Sequence, residues 1–175
     1  MAGTKETEAV LSLGGNLGDV PDTFRKALGE MESGGLAGVR ISSLYTTPPV
    51  GCKPGTPDFI NAAAAGQWRG TLEELHALCK KIEVNAGRPG DHARFDSRPL
   101  DIDIIFFGDL VYSDQNISIP HKEAARRLFV LIPLAELAGD RTFPGRDTTV
   151  GEMLEQEKCT REFTLISATR STLPE

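Results

Sequence analysis

Apolar and polar residues alternate along the chain in a way that predicts short strands separated by amphipathic helices. Residues 9–13 (AVLSL) read as a short buried strand, and the turn GGNLGD (Gly14 to Asp19) follows it. Pro21 suits the first turn of a helix, after which Phe24, Ala27, Leu28 and Met31 recur at helical spacing until Gly34-Gly35 ends the run. A second strand is predicted over 38–46, with Val39, Ile41, Ser43 and Tyr45 on one face. A loop rich in proline and glycine spans 47–57, long enough at about ten residues to suggest a functional loop. Residues 58–68 (DFINAAAAGQW) read as a third strand. Thr71 and Glu74 then form a capping box ahead of the stripe Leu72, Leu75, Leu78, Ile82, and Gly87 is a natural stop.

A second polar loop covers 88–99, and the strand LDIDIIFF (100–107) follows it. Its alternation predicts Ile102, Ile104 and Phe106 pointing into a core, with Asp101 and Asp103 facing the other way. A minor hairpin (110–119), a helical region (121–138) and a last helix plus strand (149–167) complete the pattern. The long βα series of a doubly wound fold is missing. The expected class is α+β, a compact sandwich with one mostly antiparallel sheet and helices packed on it.

Composition narrows this picture. The 175 residues suit one domain, 1–175, with enough chain for a hydrophobic core that needs no staples. A 39% hydrophobic and 25% charged chain is ordinary for a globular protein, not a disordered or coiled-coil one. The net charge of −6 argues against nucleic-acid binding by global charge. Cys52, Cys79 and Cys159 lie far apart without a Cys-x-x-Cys pair, which favours a reducing, cytoplasmic setting. The N-terminal stretch lacks the apolar region of a signal peptide, and no apolar run is long enough to span a membrane.

Asp101 and Asp103 are the strongest chemical signal. Two residues apart in a strand, they share a face at a Cα separation of about 6.6 Å, suited to one or two hard divalent cations. An Asp-x-Asp can equally be a solvated strand face. The very apolar strand and the basic loop leading into it tip the reading towards metal. Arg88, Arg94 and Arg98 crowd that loop, and His121, Lys122, Arg126 and Arg127 come later. Alone these are either solvated charges or phosphate ligands. Beside two aspartates they make sense together as Mg²⁺ plus a polyphosphate, because carboxylates would otherwise repel it by about 4 kcal/mol per charge pair at 4 Å. Asn61, Phe59 and Phe129 could receive a flat polar ring, or could be ordinary core and turn residues. No Gly-Lys-Ser/Thr, G-x-G-x-x-G or G-x-S-x-G element is present, and His76 with Cys79 lacks a second ligand pair for zinc.

Taken in order, LSLGGNLGD, SSLYTTPPVG, PDFINAA, KKIEVNAGR, RFDSRPLDIDIIFFG and IPHKEAARRLFVLIPLAELA resemble the 6-hydroxymethyl-7,8-dihydropterin pyrophosphokinases of folate biosynthesis. The resemblance spans a core of about 9–138 and leaves the last stretch of the chain unexplained. It implies a ferredoxin-like α/β sandwich that transfers diphosphate from ATP to the pterin hydroxymethyl group and releases AMP. It also implies two Mg²⁺ ions on Asp101 and Asp103, with Arg94 and Arg98 assisting catalysis. Glu83, Arg88, Phe95, Arg98, Ser118, His121 and Arg127 match positions around ATP. Thr47, Pro48, Val50, Phe59, Asn61 and Phe129 match positions around the pterin. Phe95 and Phe59 stand where tryptophan and tyrosine are frequent, and Gly90, Asp96 and Lys122 also depart, which bears on loop behaviour and rate. The implied protein is a cytoplasmic monomer acting on ATP and pterin, without nucleic acid or membrane. Its rivals are a nucleotide-binding module without turnover and an RNA-binding sheet, which would need a basic aromatic platform.

Overall fold

The computed structural model describes residues 6–49, 52–87, 97–160 and 173. In chain order these form β1 (Thr7–Gly15), α1 (Val20–Ser33), β2 (Leu36–Ile41), β3 (Tyr45–Thr47), β4 (Phe59–Trp68), α2 (Leu72–Asn85) and β5 (Asp101–Phe107). A small ribbon of β6 (Tyr112–Ser113) and β7 (Ser118–Ile119) follows, then a 3₁₀ turn (Ala124–Arg126), α3 (Leu128–Ala138) and α4 (Val150–Thr160). The main sheet runs β2-β4-β1-β5, every neighbouring pair antiparallel, with β3 also paired to β4. This is the α+β sandwich that the hydrophobic pattern predicts and the ferredoxin-like α/β arrangement that the resemblance implies.

Local chemistry explains the element ends. The Asp19 side chain accepts the Asp22 N–H at the start of α1, and Gly34 caps its end. Thr71 and Glu74 complete the predicted reciprocal capping box on α2. Gly87, just beyond α2, has φ 91°, a conformation that glycine adopts without strain.

The sheet is covered on both faces. On one, Phe24, Met31, Leu75 and Ile82 from α1 and α2 pack on Leu11, Leu13, Ile102 and Ile104. On the other, Leu131, Leu134, Val150 and Met153 from α3 and α4 pack on Val10, Ala65, Ile105 and Phe106. Each such large side chain, when fully buried, contributes roughly 1.5–3 kcal/mol.

Two sequence expectations need correction. The strand expected over 38–46 is two strands, β2 and β3, broken at 42–44. Across the break Ser42 keeps contact with β4, its N–H donating to Ala63 O and its hydroxyl accepting the Ala63 N–H, both at 2.9 Å. Phe106 does not share a face with Ile102 and Ile104. The pairing of β1 with β5 shifts between Val10 and Leu11, so Ile105 is an extra residue and Phe106 turns to the α3–α4 core. Of the expected helix plus strand at 149–167, the helical part is α4, and residues 161–167 lie outside the described residues.

Candidate active site

Asp101 and Asp103 project from one face of β5 at the end of the sheet, as the alternation predicts. Their neighbours across β1 are Gly14 and Ser12, and β4 continues the row with Asn61 and Ala63. Small side chains here leave the aspartates standing above the sheet. Their side chains keep 20% and 35% of their surface open.

Basic side chains converge on this pair. The Arg98 guanidinium lies 3.2 Å from Asp101 Oδ2, and His121 Nε2 lies 4.0 Å from Asp103 Oδ2. His121 Nδ1 accepts the Glu123 N–H at 3.4 Å, which turns Nε2 towards Asp103. Burial, and then the charge of Asp101, raise the Asp103 carboxyl above its usual range; His121, Lys80 and Arg127 pull in the other direction. Arg98 Nε is buried and has no hydrogen-bond partner among the described residues.

Glu83 holds the strand from behind. Its side chain is only 3% exposed, and its Oε1 accepts the Ile102 N–H at 2.7 Å, between the two aspartates. Its Oε2 accepts from Lys80 Nζ at 2.9 Å. The resemblance implies a place for Glu83 beside the nucleotide; in the structure each carboxylate oxygen accepts from a protein donor. Lys80, which sequence reasoning missed, sits near enough to favour the Asp103 charge.

A second group lies beside the first. Asn61, buried on β4, donates from Nδ2 to Thr47 Oγ1 on β3 at 2.8 Å. Its Oδ1 lies over Gly14, 3.3 Å from where a Cβ would stand, so glycine there keeps the amide uncrowded. Phe59, at the start of β4, lies under the Arg98 guanidinium, with Cζ 6.0 Å from the ring centroid. Phe129 on α3 carries Arg127 in the same way at 5.8 Å. Glu136 fastens α3 to this edge, accepting from the Ser43 N–H at 3.0 Å and from the Tyr45 hydroxyl. Pro48 is exposed next to Thr47.

Ser118 lies on β7, and its hydroxyl donates to Pro120 O at 3.3 Å. Val50, Arg88, Arg94 and Phe95 lie outside the described residues. Sequence reasoning also missed Asn16, buried in the GGNLGD turn and bonded to residues 57, 97 and 98. An asparagine among turn glycines was the available signal. Among the described residues, no group of three or more His, Cys, Asp or Glu side chains forms a metal cage.

Known proteins carry the same pattern. The family model of 7,8-dihydro-6-hydroxymethylpterin-pyrophosphokinase (HPPK) matches residues 10–139. A 2-amino-4-hydroxy-6-hydroxymethyldihydropteridine pyrophosphokinase of Synechocystis sp. is 36% identical over 153 residues, covering 87% of this chain and 77% of that protein. The mitochondrial folate synthesis bifunctional protein of Arabidopsis thaliana is 42% identical over 134 residues, 77% of this chain. The chain spans 24% of that bifunctional protein's length. In structure, a Plasmodium falciparum HPPK-DHPS matches with TM-score 0.70 at 14% identity, covering 87% of this chain and 46% of that one, and speaks for the fold alone. With the aspartate pair, the Asn61–Thr47 bond and the antiparallel sheet all inside the matched span, the chain belongs to the 7,8-dihydro-6-hydroxymethylpterin-pyrophosphokinase family.

Proposed function

We propose that the chain transfers diphosphate from ATP to the hydroxymethyl group of 6-hydroxymethyl-7,8-dihydropterin and releases AMP. The observation that carries this reading is the adjacency of two groups at one end of the sheet. Asp101 and Asp103, ringed by Arg98, His121 and Arg127, suit a polyphosphate with its cations. Asn61 and Thr47, with Phe59 and Phe129, suit a flat ring rich in hydrogen-bonding edges.

The residues fit Mg²⁺. Asp103 is held above its usual carboxylate range by burial and by Asp101, a tension that a divalent cation relieves. Two carboxylates that form no closed cage among the described residues also suit a metal that keeps waters and binds substrate phosphates. Two such ions on Asp101 and Asp103 would supply charge neutralisation of the polyphosphate.

The chain's own residues do the rest by position. Asn61 and Thr47 fix the pterin edge, and Phe59 and Phe129 flank its ring. This presents the hydroxyl in line with the β-phosphorus; its oxygen forms the new bond to that phosphorus as the bond from the β-phosphorus to the α–β bridging oxygen breaks, AMP leaves with the bridging oxygen, and the hydroxyl proton passes to solvent. Arg98 and Arg127 stabilise the charge spreading over the phosphoryl oxygens, in a reaction that asks little covalent help of a protein. Ser118 and His121 border the nucleotide side, and Glu83 acts through β5. Arg88, Arg94, Phe95, Pro48 and Val50 keep the roles that family resemblance implies. We place the protein in the cytoplasm as a monomer; among the described residues no helix is long and apolar enough to cross a membrane.

The test is incubation with ATP, Mg²⁺ and the pterin. AMP and pterin diphosphate formed only with all three support the reading. ADP as product, or ATP bound without turnover, overturns it.

A further inference from the structure

We propose that Asn16 is a positioning residue of the transfer site, fastening the segment that carries Arg98 to the segment that delivers Phe59. The inference rests on the proposed reaction for its kinetic consequences and on hydrogen bonds for its geometry. Asn16 is 8% exposed. Its backbone N–H donates to Arg98 O at 2.9 Å, and its Oδ1 accepts the Arg98 N–H at 2.8 Å. Its Nδ2 donates to Ser97 Oγ at 3.1 Å and to Pro57 O at 3.2 Å. Both amide hydrogens and the amide oxygen therefore have partners, all of them on two segments distant in sequence.

Those segments matter for the site. Arg98 reaches Asp101 at 3.2 Å and lies over the Phe59 ring, while Pro57 stands two residues before Phe59. Asn16 thus ties together the backbone that aims a guanidinium at the phosphate side and the backbone that sets a ring on the pterin side. Gly15 enforces the approach: a Cβ there would stand 2.3 Å from Pro99 O. The β1–α1 turn is a template against which both segments are registered. A displacement of about 1 Å in reacting groups can reduce the rate by roughly 100-fold, so such a template acts on chemistry without touching substrate.

Two replacements separate the arms. Asn16→Ala removes the side-chain bonds to both segments and leaves the backbone bond to Arg98 O. Asn16→Asp keeps an acceptor for the Arg98 N–H but replaces the donor facing Pro57 O with a carboxylate oxygen. With the full chain, kcat and KM for each substrate are measured alongside thermal melting and the hydrogen exchange of the Arg98 amide. Asn16→Ala is expected to reduce kcat about 10- to 100-fold, with both KM values raised and Arg98 exchange accelerated. Asn16→Asp is expected to retain slow Arg98 exchange and a near-normal KM for ATP while raising the KM for pterin. A loss confined to melting temperature, with both KM values unchanged, overturns the proposal, as does an Asn16→Asp variant whose Arg98 exchanges as fast as in Asn16→Ala. If Asn16→Ala fails to fold, the KM split in Asn16→Asp decides. Wild-type protein that makes no AMP refutes the reaction instead, and the Arg98 exchange still tests the tether.

Discussion

Asp103 is a burden to the fold at neutral pH and, on the proposed reading, a group the site needs. Burial and the neighbouring Asp101 raise its carboxyl above the usual range, so the folded metal-free protein holds its proton more tightly than the unfolded chain does. Between the unfolded value of about 3.9 and the higher folded value, stability therefore falls as pH rises, and at neutral pH the ionised group weakens the fold. Asp103→Asn removes that charge. It should melt higher than wild type in metal-free buffer at neutral pH, with the difference shrinking towards pH 4. The same variant should lose turnover by about 100-fold or more, since a preorganised charge at a phosphoryl site is worth that much or more. Melting curves across pH and AMP assays check both halves; a variant no more stable at neutral pH and fully active would refute the assignment.

At the scale of elements, α2 works from both ends. Its start is closed by Thr71 and Glu74, and near its end Glu83 takes the Ile102 N–H between the aspartates. Thr71→Ala should lower stability by about 1 kcal/mol and leave turnover per folded molecule unchanged. Glu83→Ala should cost about 1–3 kcal/mol, because a buried N–H loses its acceptor, and should also depress turnover by loosening β5 where Asp101 and Asp103 are mounted. Denaturant unfolding and AMP assays separate the two; equal turnover in both variants would leave Glu83 a stabilising group alone. The capping box, the aspartate face and the Asn61 strand were legible because each depends on spacing within one segment. The bulge at Ile105 was not, since Ile104, Ile105, Phe106 and Phe107 are all apolar and hide a change of face. Nor was the coverage of both sheet faces: α3, LFVLIPLAELA, is apolar nearly all round and shows no single face. The break at 42–44 carries no glycine or proline, and the Ser42 hydroxyl that bridges it is visible only once β4 lies alongside. The inward turn of Glu83 and the reach of Asn16 depend on partners far along the chain, which no local pattern records.

Over the whole molecule, a chain of net charge −6 gathers basic side chains where two aspartates also stand, and on the proposed reading this is where it would receive a polyanion. On that reading the arrangement would make cation and nucleotide mutually dependent. Without a divalent ion the aspartates repel the phosphates; without phosphates, two carboxylates on an open strand hold a hard cation weakly. Mg²⁺ and a non-hydrolysable ATP analogue should therefore raise the melting temperature together by more than the sum of their separate effects. At a ligand concentration 100 times Kd, linkage gives about 2.7 kcal/mol. For a domain of this size that corresponds to roughly 5–10 °C. Asp103→Asn should retain whatever small shift the analogue causes alone, because Arg98, His121 and Arg127 remain, and should lose the cooperative part. Calorimetry of the four combinations in wild type and variant supplies the coupling directly. A full shift from the analogue without Mg²⁺, unchanged in Asp103→Asn, would mean that the cationic side chains hold the nucleotide and that the aspartates take no part in receiving it.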